Sequence, residues 1–112
     1  MNTQDQELIE MAAKACGMTV SEALSRVGKP VSLYSQWNPL EDDGDAFRLA
    51  VALELNVFHA AGNAYALLSD FDFEAEVEEI VSYRDAGGVN NATRRAIVRA
   101  AAAIGEQLEG NV

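Results

Sequence analysis

The chain has 112 residues, 49% of them apolar, and 18 acidic side chains against eight basic ones, for a net charge of −10 and a pI near 4.3. That length suits one domain over residues 1–112, large enough to bury a core without a metal, a cofactor or a disulfide. The charge argues against direct nucleic-acid binding, which depends on Lys and Arg releasing counterions; there is no apolar run of about 18 residues to span a membrane; and the one cysteine, Cys16, permits neither an internal disulfide nor a Cys/His zinc cluster.

The stretch Met1 to Ile9 is polar and acidic, without the basic head and apolar centre of a signal peptide. With a single thiol, the expected setting is a reducing cytoplasm. The first helix is predicted over residues 5–16, with Leu8, Met11, Ala12 and Ala15 on one face. Gly17 is placed to end it. Residues 18–29 admit two readings, a short amphipathic turn carrying Val20, Ala23, Leu24 and Val27, or an irregular segment. Gly28-Lys29-Pro30 breaks whatever precedes it, and Val31, Leu33 and Tyr34 suggest a short strand.

Trp37-Asn38-Pro39-Leu40 reads as a loop, since a residue before proline is pushed out of the helical region. The carboxylates of Glu41, Asp42, Asp43 and Asp45 then gather where a helix should begin, suited to free N–H groups and the helix dipole. This second helix is predicted over 43–54, with an inward stripe of Ala46, Leu49, Ala50 and Leu53 broadened by Phe47 and Val51. Residues 56–60 read as a strand, Gly62-Asn63 as a hairpin turn and 64–69 as the return strand.

A third strand is predicted within 74–84, where Phe73, Ala75, Val77, Val81 and Tyr83 share one parity and Glu74, Glu76 and Glu78 the other. Glu79 falls on the apolar parity and Ile80 off it, which a bulge near Glu78-Glu79 would repair. A helical reading of 74–81 stays open. Gly87-Gly88 should end the strand, with Asn90 or Asn91 capping a last helix over 91–109 lined by Ile97, Ala100, Ala101, Ile104 and Leu108. Gly105 inside that helix costs about 1 kcal/mol relative to Ala, and its missing side chain would permit close packing against a neighbour.

The summed pattern is α-β-α-β-β-β-α. It predicts an α+β single domain, a sandwich-like antiparallel sheet of three to four strands covered by three helices, on both faces or wrapped around one.

Two stretches carry a resemblance: Trp37-Asn38-Pro39-Leu40-Glu41-Asp42-Asp43-Gly44-Asp45-Ala46 and Ala92-Thr93-Arg94-Arg95-Ala96-Ile97. In combination they resemble a group of small phage and prophage proteins. At greater distance the chain is similar to NinX-like proteins and the phage α-β-α sandwich domain, where an Asn-Pro and a later Asp-Ala likewise introduce the central helix. The resemblance covers most of residues 5–109 and is specific in the two motifs. It implies a fold and a phage genomic setting, and no activity.

Several residues are candidates for binding. Asp42, Asp43 and Asp45 offer oxygen ligands to Mg²⁺ or Ca²⁺, but lack the spacing of a calcium loop, and helix capping accounts for them without a metal. Trp37 is either a core plug or, with the Asn38 amide, the wall of a pocket. Arg94, Arg95 and Arg99 lie together on the last helix and would meet either an anion or neighbouring carboxylates such as Asp45 or Glu79. His59 and Cys16 have no catalytic partners at recognisable spacing, and no phosphate-binding loop or nucleophile elbow is present. These features predict a non-enzymatic accessory protein with a host or phage protein as partner, an inhibitor of a bacterial defence or regulatory system being the sharpest form. The alternatives are a nucleotide or small anionic ligand held by Trp37, Arg94 and Arg95 in one cleft, and a minor virion component. A homodimer is compatible with any of them.

Overall fold

The computed structural model describes residues 3–15, 37–69 and 75–110. The predicted strand at 31–34, the 18–29 segment and Cys16 lie outside the described residues. The described elements are α1 (Thr3–Ala15), α2 (Asp43–Ala52), β1 (Asn56–Ala60), β2 (Asn63–Ser69), β3 (Ala75–Ser82), α3 (Tyr83–Ala86) and α4 (Val89–Gly110). The chain is an α+β domain whose strands form one antiparallel sheet in the order β1-β2-β3.

Helix α4 is the hub. Ala92, Ala96, Ile97, Val98, Ala100, Ala101 and Ala102 are all buried, an arc far wider than the single stripe predicted. At about 100° per residue these positions sweep most of the helix circumference. The arc is wide because α4 meets the sheet through β2 and β3, α1 along one flank and α2 along another. Through the middle of the helix the line of Arg95 and Arg99 faces solvent; both ends are also exposed, among them Val89 and Leu108, the latter expected in the core.

The many alanines set the geometry. Ala64 and Ala66 of β2 are fully buried in the cluster shared with α4, and their small side chains let the helix lie close to the middle strand. Helix α1 buries Ile9, Ala12 and Ala13, one position round from the predicted stripe, with Leu8 and Met11 half-buried at its edge. It lies so close to α4 that a Cβ at Gly105 would stand 2.1 Å from the Met11 carbonyl oxygen. Asp5 meets Arg95 further back along both helices, so α1 and α4 run in the same direction.

The hairpin turn is Ala61-Gly62, one residue earlier than predicted, with Ala60 paired to Asn63. Both turn residues have positive φ, +51° and +79°, the pattern of the type I′ turn that suits strand twist. Alanine is strained there, whereas Asn-Gly is the favoured pair. Ala61→Asn should therefore raise stability by about 0.5–1 kcal/mol, because the Asn side chain bonds locally to the backbone and offsets part of the αL penalty. A lowered midpoint in urea denaturation would contradict that turn geometry.

Strand β3 corrects the predicted bulge. Pairing is regular from Asn63↔Ser82 to Leu68↔Val77, and the shift comes at Ser69↔Ala75, leaving Glu76 as the extra residue. Glu79 stays on the inward parity, half-buried opposite the small Ala66, and Ile80 points outward beside Tyr65. Tyr65 also stacks on Phe58, ring centroids 4.6 Å apart, so Phe58, Tyr65 and Ile80 form one row across the outer face. These cross-strand contacts offset the exposure of Ile80. The described helices all lie on the opposite face.

The strand ends at Ser82, before the predicted boundary at 84, and Tyr83 enters the single turn of α3. The Ser82 hydroxyl accepts from the Asp85 N–H, and Gly87, at φ +84°, closes the turn as the Gly88 N–H donates to the Tyr83 carbonyl. The last helix then starts at Val89, with the Ala92 N–H donating to the Gly88 carbonyl. Gly88 thus stands where Asn90 or Asn91 was expected. Two glycines permit a reversal too tight for an Asn-capped start.

Candidate functional site

The Trp37–Leu40 loop is folded inward. Trp37 is 5% exposed, and Pro39, Leu40 and Asn38 are buried with it. The Asn38 side-chain oxygen accepts from the Leu40 N–H at 3.1 Å, and its carbonyl accepts from the N–H groups of Glu41 and Asp42 at 3.0 and 2.8 Å. Asn38 therefore shapes a turn. Trp37 fills the core, the first of its two readings, and offers no open face for stacking.

Each of the three aspartates has its own task. Asp42 is the N-cap of α2, accepting from the Gly44 N–H at 3.1 Å. Asp45, at 0% exposure, reaches back to the Asn38 N–H at 2.9 Å and takes Arg48 Nη2 at 2.7 Å. Asp43 pairs with Arg94 across to α4. They face three directions, and among the described residues no three His, Cys, Asp or Glu side chains gather as a metal site.

Arg94 ties the two motifs together. Its Nε donates to the Leu40 carbonyl at 2.8 Å, and its two terminal nitrogens go to Asp43 and Asn91. All three nitrogens of the guanidinium are thus engaged in holding the loop and the start of α2 against α4. Arg95 points the other way. Both of its terminal nitrogens lie 3.4 Å from Asp5 Oδ1 on α1. Arg99 follows one turn later on the exposed line, bordering a polar cavity of about 400 Å³ with Arg95, Ser82 and Asp85. Trp37, Arg94 and Arg95 therefore do not share a cleft.

Instead, a groove of about 570 Å³ runs between α2 and the first half of α4, floored by Ala46, Ala50, Leu55, Val57 and Ile97. Phe47 and Val51, predicted to broaden the core stripe, stand on its rim at 68% and 59% exposure, opposite Val89 at 47%. They are four residues apart on one side of α2 and form an apolar ridge. A signal for this was present in the sequence. Phe47 and Val51 sit roughly 100–150° round the helix from the centre of the Ala46–Leu49–Ala50–Leu53 stripe, on a side of α2 that the stripe itself does not include.

Polar groups close the groove at its ends. His59 Nε2 lies 2.7 Å from Thr93 Oγ1, which itself donates to the Val89 carbonyl at 2.7 Å. The hydroxyl has one proton to give, so His59 Nε2 must carry the hydrogen of this bond. The bridge fastens β1 to the first turn of α4. At the far end of α2, Glu54 takes φ +55°, unusual without glycine. Its N–H donates to the Val51 carbonyl and that of Leu55 to Ala50, a full Schellman closure. The described lining residues include no Ser, Cys or Lys. The groove offers shape, apolar area and a charged rim.

No helix among the described residues is long and apolar enough to cross a membrane. Comparison with protein families, with curated proteins and with solved structures finds no match.

Proposed function

We propose that this chain is a non-enzymatic, phage-type accessory protein that acts by binding another protein through the α2–α4 groove. The observation that carries this reading is the exposure of Phe47, Val51 and Val89 along one rim of an apolar trough. Side chains of this kind cost free energy in water, and an aromatic ridge beside a trough is where binding energy concentrates in protein interfaces. The resemblance of residues 37–51 and 91–100 to small phage and prophage proteins supports the setting, with the host cytoplasm as the place of action. Small size and a net charge of −10 suit an inhibitor of a host defence or regulatory protein, which is the sharpest form of the proposal.

The test is affinity capture from host lysate with the wild type and the Phe47→Asp variant side by side. A defined host protein should be retained by the first and lost by the second. The melting temperature should hardly move, because substitutions at exposed positions rarely change stability by more than about 0.5 kcal/mol. Equal retention by both proteins, or recovery of the chain from purified virus particles, would overturn the proposal.

A further inference from the structure

We infer that the occupant of the groove is a cationic amphipathic helix of the partner, an inference that rests on the protein-binding reading above. The walls fix the shape. The trough lies between α2 and α4, and its α2 wall from Asp43 to Glu54 is about 16 Å long, or three helical turns. A trough between two helices accepts a third by ridges into grooves, with apolar anchors at i, i+3 and i+4. Phe47 and Val51, four residues apart on α2, offer a matching ridge.

The charge fixes the sign. Asp43 and Glu54 mark the two ends of the trough and are exposed; Asp43 is already paired with Arg94, and exposed Glu41 lies beside that end. Helix α2 has no basic residue in its last turn, so Glu54 adds to the negative end of the helix dipole. Among the described residues the one cation lining the trough, Arg94, is mostly buried, with its nitrogens directed to Leu40, Asp43 and Asn91. An approaching guest therefore meets carboxylates at both ends. A second copy of this chain would bring a further net charge of −10 and be repelled, whereas a basic helix is drawn in and oriented.

The test is a titration of isotope-labelled protein with three synthetic peptides of about fourteen residues, roughly four helical turns. One is a Leu/Lys peptide with a continuous apolar face. The second has the same pattern with Glu for Lys, and the third is the Leu/Lys composition scrambled so that no face forms. The first should shift the amides of Phe47, Val51, Glu54, Val89 and Ile97. The other two should bind at least about tenfold more weakly, the order of one lost anchor or one set of opposed charges. Phe47→Asp should weaken the first peptide about tenfold or more. Glu54→Lys should weaken it several-fold, and the difference should shrink with added salt, because screening acts over about 8 Å at physiological ionic strength.

Equal binding of the Glu peptide would overturn the cationic assignment, and equal binding of the scrambled peptide would overturn the helical one. Both results leave the capture experiment with Phe47→Asp to judge the protein-binding reading separately. A concentration-dependent dimer in sedimentation equilibrium that Phe47→Asp abolishes would make a second copy the occupant and overturn the inference.

Discussion

Replacing Gly105 with alanine should destabilise the protein by up to about 2 kcal/mol, although the same change in an isolated helix would stabilise it. Alanine favours a helix interior over glycine by about 1 kcal/mol. Here the added carbon would lie 2.1 Å from the Met11 carbonyl oxygen and 3.0 Å from its carbonyl carbon. Both neighbours are backbone, so no rotamer change relieves the overlap. Helix α1 must move away from α4, opening the contacts of Ile9, Ala12 and Ala13 with the core. Overpacking of this kind costs about 1–3 kcal/mol, occasionally more, and should lower the melting temperature on the order of 10 °C. The buried Trp37, the one tryptophan of the chain, gives the fluorescence signal for the unfolding curve. Truncating the Met11 side chain in the variant should give no rescue, because the obstacle is main chain. A neutral or stabilising Gly105→Ala would mean that α1 does not cross α4 at this point.

The second large effect belongs to Asp45. Removing its carboxylate by Asp45→Ala leaves the buried Asn38 N–H without its acceptor, a penalty of about 1–3 kcal/mol. It also frees Arg48, whose side chain is already 54% exposed and can return to water, so that share is at most about 1 kcal/mol. The total should be about 1–4 kcal/mol. Asp45→Asn keeps the shape and one acceptor oxygen and should cost less. Arg48→Ala should cost least of the three. Urea denaturation of the set checks the order, and a shift of Trp37 emission to longer wavelength in Asp45→Ala would report loosening of the 37–40 turn. Should Arg48→Ala prove as damaging as Asp45→Ala, the ion pair and not the backbone hook would be what holds the loop.

The local features legible in the sequence were those governed by near neighbours. Asp42 before the Ala46–Leu49–Ala50 stripe marks a helix start, because an N-cap and a 3.6-residue period act within a few residues. Positive φ at Gly62 and Gly87 marks the reversals, because glycine adopts it without strain. The alternation of Val77, Glu78, Val81 and Ser82 marks a strand. The small errors are also local. The turn fell at Ala61-Gly62 because Asn63 pairs with Ala60 and adds its side-chain N–H to the Ala61 carbonyl. The last helix started two residues early because two glycines turned the chain before either asparagine was reached.

The candidate site was legible only in part. Residues 37–45 and 91–95 stand out by composition, but periodicity names a face and not the element that covers it. Arg94 and Arg95 are adjacent in the chain, yet one holds Leu40 and Asp43 while the other meets Asp5, because successive helical residues point about 100° apart. Phe47 and Val51 are as apolar as Leu49 but lie on another side of α2, and only the fold shows that no described element covers that side.

By itself, then, the sequence determined an acidic α+β chain, the helix from Asp43, the hairpin, the third strand and the last helix in that order but not the single turn of α3, helix capping by the carboxylates at 41–45, and room for a close neighbour at Gly105. The tertiary structure alone decided which neighbour that is, where the bulge in β3 falls, how the arginines divide, and that an apolar ridge is left beside a trough. The physical reason is range. Backbone dihedrals, caps and amphipathic periods are set within one or two turns of chain, whereas burial and ion pairing depend on segments tens of residues apart meeting in space.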